Sequence, residues 1–291
     1  MKFCHLFQLQ SFPTEPSTLV LFVVYKTVVL RHSTSTTANS LSAIRRANLA
    51  MGSTLPTPSS YFPLREALRG AKRYLSKPTI QKLPMNPNLL MLLIGGSEWG
   101  FSMRCLYLTL WFTFSRLASL IPTSKSPFHP TSHLSWSNVL FEENGVRIVL
   151  EKTKNIQCLE RNLQFFIPKH RNQSICLYTQ LQSLYSSTPF KLPHHPVFIT
   201  CQNGMWFPLS RSLADPYLKA ALVSAGVTPS AYGWSSFRRG GATTGFIATK
   251  DIESLREHGD WKSNAYIRYL SLSASKRTHL VSALQNVIVL E

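Results

Sequence analysis

Strand-like sequence is confined to a short central part of this chain, and that confinement restricts the available folds more than any other feature. Leu134–Phe141, Val146–Leu150 and Leu163–Pro168 read as strands, and Asn144-Gly145 between the first two is a strong two-residue hairpin signal. A further short strand is expected at Val197–Thr200, after a loop at 187–196. Elsewhere apolar residues fall at helical spacing. Helices are expected at Thr18–Leu30 behind a Ser17 cap, at Ala38–Met51 up to Gly52, and from Pro63 to Leu75. Others are expected at Asn88–Gly95, Met103–Leu120, Ser210–Gly226, Ser236–Ala248, Lys250–His258, Ser263–Leu270 and Ala274–Val287. Helices, a small antiparallel sheet and more helices make an α+β chain. Three prolines in Lys77–Pro87 mark a linker, giving expected domains at residues 1–80 and 81–291.

Composition removes several function classes. Hydrophobic residues at 44% allow a sizeable core. Five separated cysteines, with no CxxC pair, signal neither a disulfide framework nor a zinc knuckle. Only three acids are aspartates, Asp215, Asp251 and Asp260, which is poor material for a two-metal nuclease. Lys26 interrupts the apolar run Leu19–Leu30, and Glu98, Arg104 and Arg116 break Leu89–Ile121, so no membrane span is expected. The net charge of +18 calls for a polyanionic partner, either nucleic acid or an anionic membrane surface. No strongly amphipathic basic helix with a Trp/Phe face supports the membrane option. Residues 1–85 hold eleven Lys/Arg against two acids. Leu64, Ala67, Leu68, Ala71 and Leu75 form one stripe of the third helix. Arg65, Arg69, Lys72 and Arg73 fall on another face, suited to following a phosphate backbone.

The chemistry is concentrated near the carboxyl end. Ser235-Ser236-Phe237-Arg238-Arg239-Gly240-Gly241-Ala242-Thr243-Thr244 is followed by His258-Gly259-Asp260-Trp261-Lys262-Ser263 and Ala265-Tyr266-Ile267-Arg268-Tyr269. This pattern resembles the tyrosine recombinase (phage-integrase-like) family, most closely the recombinases of DIRS-type retrotransposons. Thr113-Phe114-Ser115-Arg116-Leu117 is similar to the family's first arginine block. Pro122-Thr123-Ser124 through His133-Leu134 and the turn Glu151-Lys152-Thr153-Lys154 also look like it. Leu41-Ser42-Ala43-Ile44-Arg45 and Leu68-Arg69-Gly70-Ala71-Lys72 resemble its DNA-binding helical domain, with a first helix that looks truncated at Met1.

The resemblance implies a SAM-like, all-helical core-binding domain, with Arg45, Arg46, Arg65, Arg69, Lys72 and Arg73 on DNA. A mostly helical catalytic domain with a small antiparallel sheet would follow. It implies strand cleavage by Tyr269 through a 3′-phosphotyrosyl intermediate. Arg116 and Arg238 would clamp the phosphate, and Lys152 would protonate the leaving 5′ oxygen, with Lys154 as its alternative. Arginine suits the clamp because its planar fork bonds two oxygens and stays charged. Tyr266, one turn before Tyr269, is the rival nucleophile or a core aromatic. Trp261 is expected to line the site, while Asp260 stands where many members carry His or Trp. Arg239 is expected to face elsewhere, and His258 to interact with a helix dipole.

No metal or cofactor is required. The expected partner is double-stranded DNA, with self-association on it through the last helix and a nuclear location; no membrane or small-molecule substrate is expected. Two departures matter. Ser235 replaces a histidine of close relatives, and Ser119 stands where a glutamate is usual. A hydroxyl bonds phosphate but cannot shuttle a proton near neutral pH, so a catalytically decayed DNA-binding protein of mobile-element origin is the alternative.

Overall fold

The computed structural model describes residues 2–75, 81–96, 100–123 and 126–268. Its contacts divide into two compact units, Met1–Ile80 and Gln81–Glu291. Tyr269 and the helix expected at Ala274–Val287 lie outside the described residues.

The first unit is helical: α1 (Lys2–Leu6), α2 (Pro16–Val24), α3 (Thr34–Ala50) and α4 (Phe62–Tyr74). The helix α2 begins at Pro16 rather than behind a Ser17 cap, because a missing N–H is harmless in a first turn. It passes into a π turn at Tyr25–Val29. The helix expected from Ala38 opens earlier, at Thr34, where the Ser33 hydroxyl accepts the Thr36 N–H at 3.1 Å. Leu64 and Ala71 of α4 are buried with Leu19, Val23, Leu41 and Leu55, and Ala67 and Leu68 pack against them. Fully buried Asn48 accepts the Thr14 N–H at 2.8 Å and donates to the Thr14 hydroxyl and the Ile44 carbonyl, tying the segment before α2 to α3.

The second unit opens with α5 (Pro87–Gly95), whose Asn86 cap accepts the Leu89 N–H at 2.7 Å, and with α6 (Gly100–Thr113). Met103 and the run from Cys105 to Trp111 are buried, as a helix surrounded by protein requires. Strands β1 (Val139–Glu142), β2 (Gly145–Leu150) and β3 (Leu163–Pro168) form one antiparallel sheet in that order. Val139, Val146, Ile148, Leu150, Phe165 and Ile167 supply its buried side chains. The first strand is shorter than expected, because Trp136–Asn138 forms a 3₁₀ turn. Next come α7 (Leu177–Ser187), which the sequence reading lacked, then β4 (Ile199–Gln202) and β5 (Met205–Pro208). The unit continues with α8 (Arg211–Ser224), α9 (Trp234–Thr249) and α10 (Ile252–His258). The expected helix at 263–270 appears as a 3₁₀ turn, Asn264–Arg268.

The two hairpins use their Asn-Gly pairs differently. Glu142 pairs with Gly145, so Glu143 and Asn144 make the first turn and Gly145 belongs to β2. A Cβ at Gly145 would sit 2.4 Å from the Ile167 carbonyl, so glycine is needed there for close approach. The left-handed Asn-Gly turn lies at Asn203 (φ 52°) and Gly204 (φ 78°), joining β4 to β5. Among the described residues, no helix is long and apolar enough to cross a membrane.

Candidate active site

The first arginine is presented by the end of α6. Thr113 turns its hydroxyl back onto the Thr109 carbonyl at 2.6 Å and bonds the Ser115 hydroxyl at 2.7 Å. Phe114 then takes a left-handed φ of 49°, unusual for a bulky residue, and leads the chain off the helix into Ser115 and half-buried Arg116. Phe114 is held there by packing with Ala242, Leu255, Trp261 and Tyr266.

The second arginine comes from α9. The Ser236 hydroxyl accepts the Gly233 N–H at 3.1 Å at the start of this helix. One turn on, two glycines set its position. A Cβ at Gly240 would lie 1.9 Å from the Met85 carbonyl, and one at Gly241 would lie 2.4 Å from the Trp111 carbonyl. Only bare backbone lets α9 approach the end of α6 so closely, and that approach brings Arg238 beside Arg116. The Arg238 guanidinium donates to the Gly259 carbonyl at 2.8 Å and stands 4.8 Å over the Trp261 ring. Arg239 turns the other way and donates to the Lys82 carbonyl. That bond reinforces the pairing of Leu83 N–H with the Ala231 carbonyl and of Met85 N–H with the Ser236 carbonyl.

Arg116 and Arg238 line a cavity of about 580 Å³, together with exposed Ser235 in the first turn of α9. Lys82, Arg211 and Lys219 bring the cations lining it to five, and the lining carboxylate Asp215 is engaged by Arg211 at 3.6 Å and by the Trp234 indole N–H. Sequence reading missed Arg211 and Lys219, although their eight-residue separation places them on one face of α8, a signal visible in the pattern. A second cavity of about 20 Å³, room for roughly one water, lies between Arg116, Arg238, Ser119, Thr153 and Asp260.

Lys152 belongs to the β2–β3 loop and is half-buried. Its neighbours Leu150 and Thr153 line the smaller cavity, whereas Lys152 lines neither. Lys154 is exposed. The loop is closed on itself by Thr153 N–H to Ile156 carbonyl at 2.9 Å, with Ile156 fully buried.

The segment 258–261 follows from helix-ending chemistry. Asp260 N–H returns to the Glu257 carbonyl and Trp261 N–H to the Arg256 carbonyl, both at 3.0 Å. With Asp260 at φ 49°, this is a Schellman close of α10. A Cβ at Gly259 would strike the Trp261 ring at 2.3 Å, so glycine lets the indole fold back under Arg238. Trp261 therefore supports the arginine and is not among the residues lining the two cavities. His258 reaches the Phe112 carbonyl at 2.7 Å, near the end of α6 rather than of its own helix. Burial holds its pKa below the ordinary imidazole value. Tyr266 is buried against Trp261, with ring centroids 6.2 Å apart.

No protein-family model and no curated protein matches the chain. Solved structures do. The integrase of transposon Tn1549 bound to transposon right-end DNA aligns with a TM-score of 0.59 at 13% identity, covering 95% of this chain and 87% of that one. The same integrase with circular-intermediate DNA gives 0.55 at 13% identity, covering 94% and 86%. The XerH site-specific recombinase on a palindromic difH substrate gives 0.50 at 14% identity, covering 84% and 70%. The fold is that of the tyrosine recombinases.

Within this recombinase fold, the second unit brings Arg116, Arg238 and Ser235 to one cavity, sets Trp261 beneath Arg238, and leaves Lys152 beside the smaller cavity. The basic residues expected on DNA belong to the first unit. Arg65 and Arg69 both contact Glu66, at 3.4 and 2.8 Å, while Lys72 and Arg73 are exposed. Arg45 and exposed Arg46 line a shallow hollow on α3, with the Arg45 side chain 3.4 Å from the Leu55 carbonyl. No group of three or more His, Cys, Asp or Glu that could hold a metal occurs among the described residues.

Proposed function

We propose that this chain cleaves and rejoins double-stranded DNA at specific sites, as in DNA recombination or integration. The observation that carries the reading is the convergence of Arg116 and Arg238 on one cavity at the start of α9. Two guanidiniums on one cavity, that of Arg238 already held by the Gly259 carbonyl, offer electrostatic stabilisation to a phosphate whose negative charge grows during attack. In the proposed step the Tyr269 oxygen bonds to phosphorus and its proton passes to solvent. The P–O5′ bond breaks, and the 5′ oxygen takes a proton from Lys152. The covalent link keeps the bond energy for rejoining. The exposed cations of α3 and α4 would follow the DNA backbone. A mobile-element origin close to DIRS-type recombinases, self-association on DNA and a nuclear location complete the proposal.

Ser235 favours a second reading, in which the fold binds DNA with little or no turnover. General acid–base help is worth about 10²–10⁴ in rate, and a serine cannot supply it. A DNA substrate nicked beside the cleavage site separates the two. A covalent adduct that wild type forms and Tyr269→Phe does not is the expected result. No adduct from wild type, or an equal amount from Tyr269→Phe, overturns the enzymatic reading.

A further inference from the structure

Asp260 carries the most specific unassigned geometry in the molecule. It stands at the left-handed position that closes α10, where glycine would sit without strain. Its side chain instead reaches the loop that holds Lys152. One carboxylate oxygen accepts from the Arg161 guanidinium at 2.6 Å, and the other accepts from the Asn155 amide at 3.2 Å. The same Asn155 amide donates to the Asp260 carbonyl at 2.8 Å. The Asp260 side chain is only 15% exposed, so this ion pair is better shielded than an ordinary surface pair. Asn155 and Arg161 lie on either side of the buried Ile156, and both bind the same residue.

We propose that Asp260 is a positioning residue that pins the 151–162 loop to the end of α10, holding Lys152 beside the smaller cavity that Arg116 and Arg238 also line. The inference rests on the strand-cleavage reading above. Pairing with Arg161 also solves an electrostatic problem. A carboxylate lining the smaller cavity beside Arg116 and Arg238 would weaken their field on a nearby phosphate, and the Arg161 guanidinium offsets that charge. The clamp acts on one step: the Lys152 ammonium gives its proton to the 5′ oxygen as the P–O5′ bond breaks and the Tyr269 O–P bond forms. A loop free to drift would deliver that proton less often while leaving the arginine clamp intact.

The test uses full-length wild type, Asp260→Ala and Arg161→Ala, the last changing only a loop side chain. Covalent adduct formation is timed on two nicked DNA substrates. One has the natural 5′ oxygen, and the other has sulfur in its place, a leaving group that departs without a proton donor. Both variants should slow about tenfold to a hundredfold on oxygen, short of the roughly 10²–10⁴ that complete loss of proton transfer costs. On sulfur they should match wild type. Slowing on both substrates, or on neither, overturns the positioning role. Amide hydrogen exchange across 153–162 gives an independent readout, expected about tenfold faster in both variants. Unchanged exchange overturns the clamp even if wild type forms no adduct. An adduct-free wild type with accelerated exchange sinks the strand-cleavage reading and Asp260's role in proton delivery, while leaving the clamp itself in place.

Discussion

Arg238 of α9 and Arg69 of α4 are both helical arginines in glycine-containing segments, yet they occupy opposite situations. Arg238 is 5% exposed, bonded to a carbonyl and stacked over an indole, on a helix whose glycines fix its depth. The Arg69 side chain is 62% exposed and leans on Glu66 one turn away. The first guanidinium is held in place before any ligand arrives, so little reorganisation is needed when charge develops. The second is a mobile charge whose worth is screened by salt and partly offset by its glutamate. Positive charge alone therefore does not make a guanidinium pre-organised; burial with neutral support does.

The largest expected break between the two is catalytic. Arg238→Ala should lower adduct formation by about 10²–10³, whereas Arg69→Ala should change it less than about threefold, measured under the same single-turnover conditions. Stability gives the next contrast. Gly240→Ala forces a methyl group against the Met85 carbonyl and should destabilise the second unit by about 3 kcal/mol in urea unfolding. Asn48→Ala strands the Thr14 N–H and should destabilise the first unit by about 1–3 kcal/mol, read by an amide-exchange change confined to residues 2–75. A smaller effect sharpens the role of α4. Lys72→Ala should reduce the slope of log K against log salt for DNA binding by about 0.9, with no change in preference between DNA sequences.

The smallest expected effect concerns pH. Burial disfavours the charged form of His258, so the unfolded chain takes up that proton first as pH falls. Its contribution to stability is complete above about pH 6.5, the ordinary value, and declines below it until the folded ring also protonates. Thermal melts between pH 7.5 and 5 should show a shallow loss that His258→Gln flattens.

Much of the architecture was legible because it rests on local periodicity. The Leu64–Ala71 stripe and the β2–β3 segments appear where the pattern puts them. The errors arose where tertiary contact decides. Asn144-Gly145 looked like a left-handed turn, but its glycine is there because β3 presses on it, and the left-handed Asn-Gly pair lies at 203–204. His258 found a helix end, but one 146 residues distant in sequence. At the centre, the resemblance to tyrosine recombinases singled out Arg116 and Arg238 as a pair, while the support from Gly259 and Trp261 emerged only from the folded chain. The Asp260 clamp spans about a hundred residues and has no periodic signature.

The neighbouring arginine has a different kind of importance. Arg239 bolts residue 82 to the start of the helix that carries Arg238, so removing it loosens a joint rather than the chemistry. Under the proposed strand cleavage, a mutational survey scoring only recombined product would rank positions 238 and 239 alike. Only a parallel assay of soluble, folded protein would reveal that the two losses have unrelated origins.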